Sequence, residues 1–271
     1  MKIKHLLCFI ALCLFFTPGK AQQLSVMTLR NGATVYIWED KSKPDVFGMI
    51  AFKVGSVDDP EQYTGLAHYL EHVMFKGTQT IDALDWEKEK PIYEKIIAKY
   101  DERAALSDPT AREAIDKEIN DLTREAAQYA AGNEFSLLVD HMGGQGLNAS
   151  TGYDQTEYHN SFPPSQLEKW LEIYSERLID PVFRGFQTEL EAVYEEYNMY
   201  NDDRGSRMRE FIYEQAFGDH PYARPIIGLP EHLKNPQLSK LIDFYNTWYG
   251  PQNMSIILVG NIDAKEAIPM I

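Results

Sequence analysis

The chain has 271 residues, of which 44% are hydrophobic and 25% charged, ordinary globular proportions with room for one large domain or two small ones. Its formal net charge of −15 argues against a nucleic-acid ligand and against docking on an anionic membrane surface, and is compatible with solubility or with cationic peptide ligands. Both cysteines, Cys8 and Cys13, fall in the N-terminal segment described next, so a chain without that segment has no disulfide, cysteine nucleophile or thiolate metal ligand.

Lys2 and Lys4 precede an apolar run over residues 6–16, followed by Thr17-Pro18-Gly19-Lys20-Ala21. Eleven residues fall short of the ~20 that span a bilayer. A basic start, a short apolar stretch and a small residue at Ala21 read as a secretory signal over residues 1–21, with cleavage leaving Gln22 first. The expectation is an exported protein, periplasmic or extracellular and from a Gram-negative bacterium, with no stable membrane span after cleavage. An uncleaved anchor is the competing reading. A lipoprotein reading at Cys13 is disfavoured because Leu12 stands where a small residue is wanted.

Residues 28–38, "TLRNGATVYIW", alternate around Asn31-Gly32, a short hairpin signal. Residues 46–54, "VFGMIAFKV", predict a strand, and 55–60 break it. Helix formers follow up to Gly77, the predicted stop. Residues 82–131 carry 21 charged residues among 50, with Ile92, Ile96 and Tyr100, then Ile115, Ile119, Leu122 and Ala126, at helical spacing. Asp108-Pro109 between them suits a cap and first helical residue, so a charged helical hairpin is predicted here, serving as a solvated packing arm. Residues 143–151 begin flexible and end extended, and 156–162 predict another strand. A helix should open at Pro163-Pro164-Ser165, with Ser165 and Glu168 as a capping box. Helices are predicted over 189–201 and 207–217, a buried strand over 254–259, and a further helix from "NIDAKEAI".

The chemistry concentrates in "GLAHYLEHVMFKGT", residues 65–78. On a helix, i, i+3 and i+4 share a face, so His68, Glu71 and His72 project together. Two imidazoles one turn apart can hold a divalent cation, zinc suiting imidazole with carboxylate, and Glu71 beside it can take a proton from an activated water. Helices also carry histidines that simply face solvent, so a third ligand decides. With no cysteine it must be His, Asp or Glu. The helix "TELEAVYEEYNMYND" offers Glu189 and Glu196, two turns apart on one face, and Glu195 on another. Spacing does not choose among them, and a solvated acidic face is the default.

At this point the residues resemble the pitrilysin/insulinase family of zinc peptidases, whose order HxxEH is the inverted zinc-protease motif. The resemblance extends beyond "HYLEHVMFKGT" to "GLNASTGYDQTEYH", "TELEAVYEEYNM", "HPYARPIIGLPEHLKNP" and "WYGPQNMSIILVGNID", in the family's order from residue 24 to 271. It implies an α+β fold, an antiparallel-rich sheet flanked by helices, and a catalytic module over residues 22–271 with 82–131 inserted. It implies one zinc per chain held by His68, His72 and Glu196, with Glu71 as general base and Glu189 as an accessory glutamate. Asn148 and Ala149 fall where the family's edge strand pairs with substrate backbone, so an extended peptide is the implied substrate. Asn148-Ala149-Ser150 also fits a glycosylation acceptor, a pattern common by chance. Large exported bacterial members carry a segment similar to "DWEKEKP", which accounts for the long interval between His72 and Glu196. The family's homologous second half, in the same chain or a partner subunit, has no counterpart within these residues. A non-catalytic subunit that binds zinc and peptide is the alternative, although inactive members usually lose the ligands that this chain keeps. The small lyase of quorum-signal synthesis shares only HxxEH.

Overall fold

The computed structural model describes residues 24–271, and the predicted signal segment, 1–21, lies outside them. Six strands form one sheet: β1 (Leu24–Thr28), β2 (Thr34–Glu39), β3 (Val46–Phe52), β4 (Gln145–Thr151), β5 (Thr156–Phe162) and β6 (Met254–Gly260), in the order β1-β2-β6-β3-β5-β4. Every pairing is antiparallel except β2 with β6. The fold is α+β, as expected. β1 and β2 join through the predicted Asn31-Gly32 turn, where Asn31 Oδ1 accepts the Ala33 N–H and Gly32 takes a left-handed φ of 98°.

Alternation sorts the strand residues between two faces. In β3, Val46, Ile50 and Phe52 are buried while Phe47, Met49 and Ala51 are half-buried. The buried face packs under α5 (Leu167–Ile179): a Cβ on Gly48 would lie 2.6 Å from the Trp170 ring, so only glycine admits that helix. Asn160 Oδ1 on the same face accepts both Trp170 Nε1–H and Tyr174 O–H at 2.8 Å, which satisfies a fully buried amide oxygen.

The helices ahead of α5 are α1 (Leu66–Val73), α2 (Trp86–Ala105), α3 (Pro109–Ala126) and α4 (Glu134–His141). After it come α6 (Phe186–Asp202), α7 (Arg204–Phe217), α8 (Pro230–Leu233), α9 (Leu238–Trp248) and α10 (Ala264–Ala267). α2 and α3 are the predicted hairpin. Asp108 accepts the Thr110 N–H ahead of Pro109, and the ends of the excursion meet where Ala131 N–H donates to Asp82 O at 3.0 Å. The hairpin is more than a solvated arm. Ile92, Ile96, Tyr100, Ile115 and Ile119 are buried, and Tyr100 packs edge-on against Phe186 of α6 with its hydroxyl donating to Gln187 Oε1.

Two expectations need correction. The metal-motif helix ends at Val73, not at Gly77; Phe75 and Lys76 continue as a tight turn, and Gly77, at φ 88°, redirects the chain toward its bridge partner segment at Pro181. The Ser165–Glu168 capping box does not form. A 3-10 turn over Pro164–Gln166 intervenes, so α5 begins at Leu167 behind Gln166 with no side-chain cap. α4, α8 and α9 have no counterpart among the predicted helices. α4 buries Phe135 and Val139, and α9 buries Leu238, Leu241 and Phe244.

Candidate metal centre

α1 follows β3 and lies against β4, β5 and α6. Its eight residues place His68 and His72 one turn apart with ring centroids 4.8 Å from each other. α6 brings the third donor. Glu196 Oε2 lies 3.6 Å from His68 Nε2 and 3.5 Å from His72 Nε2, and one donor atom from each residue falls within a 4.8 Å cluster.

These residues fit a zinc ion. Nitrogen and oxygen ligands at ~2.0–2.2 Å around a tetrahedral centre stand roughly 3.3 Å apart, close to the two separations found. Protonation agrees for the more buried ring: burial, reinforced by the neighbouring His72, lowers His68 to about 3, so its imidazole is neutral, as a ligand must be. For His72, burial acts downward, but the Glu189 hydrogen bond and the charges of Glu71, Glu196 and Glu189 outweigh it, and the net shift is upward. Glu189 Oε2 stands 3.4 Å from His72 Nδ1, leaving Nε2 for the centre, and its other oxygen pairs with Lys76. The His72 hydrogen bond, helped by Lys76, holds Glu189 below the usual carboxylate range despite burial. His68 Nδ1 is buried and has no hydrogen-bond partner among the described residues.

Glu71 occupies the same cleft, about 500 Å³, without entering the three-donor cluster. Burial raises its pKa, offset in part by the Thr151 hydroxyl, which donates to Glu71 Oε2 at 2.6 Å, and by His72. Glu195 lines a different hollow, about 430 Å³, bounded by Arg103, Gln187 and Glu191 and containing none of the cleft's donors. Asn148 and Ala149 lie on β4, an edge strand of the sheet, and Ala149 also lines the cleft. The far wall comes from α7, where Tyr213 stacks on Tyr153 with centroids 5.4 Å apart.

The structure therefore gathers His68, His72, Glu196, Glu71 and Glu189 and sets β4 beside them. Thr151 and Lys76 were missed from sequence. Their partners lie 80 and 113 positions away, beyond the reach of any local pattern.

Comparison with known proteins gives the family and the fold. The family model described as Insulinase (Peptidase family M16) matches residues 34–90 and 122–229, and one described as Peptidase M16 inactive domain matches 237–271. An uncharacterized zinc protease of Mycobacterium leprae is 26% identical over 220 residues, which cover 80% of this chain and 38% of that protein. The probable zinc protease PqqL of Escherichia coli is 25% identical, over 92% of this chain and 23% of its own length. A crystal structure of a protease from Helicobacter pylori shares the fold with a TM-score of 0.70 at 22% identity, over 92% of this chain and 49% of that one. The chain thus spans less than half the length of these curated relatives.

Proposed function

The chain belongs to the insulinase family of peptidases, family M16, and from that premise we propose that it is the catalytic module, residues 22–271, of a zinc-dependent endopeptidase acting on extended or unfolded polypeptides. One observation carries this reading: three donor atoms from α1 and α6 converge within 4.8 Å beside the half-buried Glu71 carboxylate and the open edge of a sheet.

His68 and His72 through Nε2, with Glu196 through Oε2, would hold one zinc ion. When bound, zinc supplies Lewis acidity, acidifying a water and polarising the scissile carbonyl. Glu71 accepts the proton of the attacking water at its carboxylate and delivers it to the departing amine nitrogen. Its burial suits this task, because a carboxylate with a raised pKa gives up and takes a proton nearer neutrality. Thr151 holds the carboxylate in one orientation, and Glu189 fixes the His72 ring. The substrate would add a strand beside Asn148 and Ala149, which gives main-chain recognition with little dependence on side chains. The basic, apolar N-terminus and the likeness to a protease described as periplasmic support an exported protein. The greater length of the relatives supports a homologous second half, in the same chain or in a partner subunit. A non-catalytic subunit is disfavoured by retention of Glu71 together with all three donors.

Glu71→Gln should retain stoichiometric zinc while hydrolysis of an unfolded polypeptide falls by ~10²–10⁴, and His68→Ala should lose both. Full turnover in Glu71→Gln defeats the base assignment. Metal analysis of Glu196→Ala and Glu195→Ala should show loss in the first only; equal retention defeats the ligand assignment.

A further inference from the structure

α1 is too short to be stable by itself, since isolated helices below ~12–15 residues are marginal in water. Its N-cap, Gly65, has no side chain to satisfy the first N–H groups. That duty falls on Asp59, six residues upstream and 5% exposed: Oδ2 accepts Gly65 N–H at 2.7 Å and Oδ1 accepts Ala67 N–H at 2.9 Å. Arg224, directly after a 3-10 turn over Pro221–Ala223, donates from Nη2 to Asp59 O at 3.4 Å. The other end of α1 meets a second buried charge. Arg177 of α5 is fully buried, and its Nε donates to Met74 O, one residue past the helix, at 2.9 Å. Its guanidinium carbon lies 4.2, 4.3 and 4.6 Å from the ring centroids of Phe75, Tyr158 and Phe135, and Nη1 and Nη2 have no hydrogen-bond partner among the described residues.

A buried cation with two unbonded nitrogens is costly, and surrounding aromatic faces recover only part of that cost. What it gains here is position: a cation at the C-terminus follows the helix dipole, while at the N-terminus the two Asp59 oxygens take up free N–H groups. We infer that Asp59 and Arg177 are positioning residues that clamp the two ends of α1 and so set the directions of His68, Glu71 and His72. Neither side chain enters the cleft. They hold the backbone of one helix, at Gly65 and Ala67 at one end and at Met74 at the other, and the Arg177 charge also acts on Glu71 directly.

The proposal rests on the metal-centre reading, and Co²⁺ separates the two. The full chain should bind Co²⁺ with the visible absorption of a four-coordinate site. Asp59→Asn and Arg177→Lys, assayed where far-ultraviolet circular dichroism shows them folded, should each give a shifted or weakened band and about tenfold poorer Zn²⁺ affinity. Either variant suffices if the other fails to fold. Val35→Ala, a loss in the core under β2, three strands along the sheet from the β5 strand on which α1 packs, should leave band and affinity unchanged. Wild-type chain that takes up no Co²⁺ overturns the metal-centre reading and the clamp with it. Normal wild-type uptake with unaltered spectra and affinities in both clamp variants overturns the clamp alone, as does an equal change in Val35→Ala.

Discussion

His72 shows how a single ring is assigned its task. Glu189 takes Nδ1, Lys76 steadies Glu189, and Nε2 is left facing Glu196. Glu189→Ala should therefore weaken zinc binding by ~10–100-fold while leaving the three donors in place, as competition with a chelator would measure. Asp59 gives a prediction in pH. Burial raises its carboxyl to about 7, against the hydrogen bonds from Ala67 and Gly65 and the charge of Arg224, while Asp58 pushes in the same direction as burial. A raised carboxyl pKa means that the folded protein binds more protons than the unfolded one between about pH 4 and 7, so this residue's contribution to stability declines as pH rises through that window. Asp59→Asn cannot ionise. Its stability relative to wild type should improve from pH 4 to 7, by at most on the order of 4 kcal/mol in chelator-treated protein followed by denaturant unfolding. A difference that stays flat with pH would place the ionisation elsewhere.

Among the elements, the α2–α3 hairpin has the least expected role. Arg103 pairs with Asp116 and Lys99 with Glu118 across it, yet its buried positions pack inward, α2 chiefly on α9, with Tyr100 reaching Phe186 of α6, the helix bearing Glu196. Ile119→Ala should cost about 2–5 kcal/mol of stability, read by chemical denaturation; a change below about 0.5 kcal/mol would return the hairpin to the role of a solvated arm. The hairpin was legible because its apolar positions recur every three or four residues over two long stretches. β3 and β6 were legible from their apolar runs, and β5, mostly polar, from Thr156, Tyr158 and Phe162 alternating to one face. α4 was not: eight residues give barely two turns of periodicity, and Gly132 and Asn133 just ahead of it, both left-handed, read as loop. α9 had Leu238, Leu241 and Phe244 at helical spacing, a signal present but unread. The site divides the same way. His68, Glu71 and His72 are local and visible, whereas the choice of Glu196 over Glu195 depends on which face of α6 packs toward α1, a tertiary fact.

At the scale of the whole molecule, a net charge of −15 bathes a cleft that already holds Glu71, Glu196 and Glu210 against a single arginine, Arg209. An extended peptide rich in Lys and Arg should show a higher kcat/KM than a neutral one of equal length at low salt, and the advantage should fade toward about 0.5 M, where screening is short-ranged. Equal salt dependence for both peptides would remove electrostatics from recognition. The order of the centre's parts along the polypeptide matters in another way. The paired imidazoles are synthesised early, but the carboxylate that closes the triangle arrives only with α6, more than a hundred residues later. A growing or unfolded polypeptide therefore carries the paired imidazoles without their carboxylate, and the three-donor cluster exists only once α6 has been made and has packed against α1.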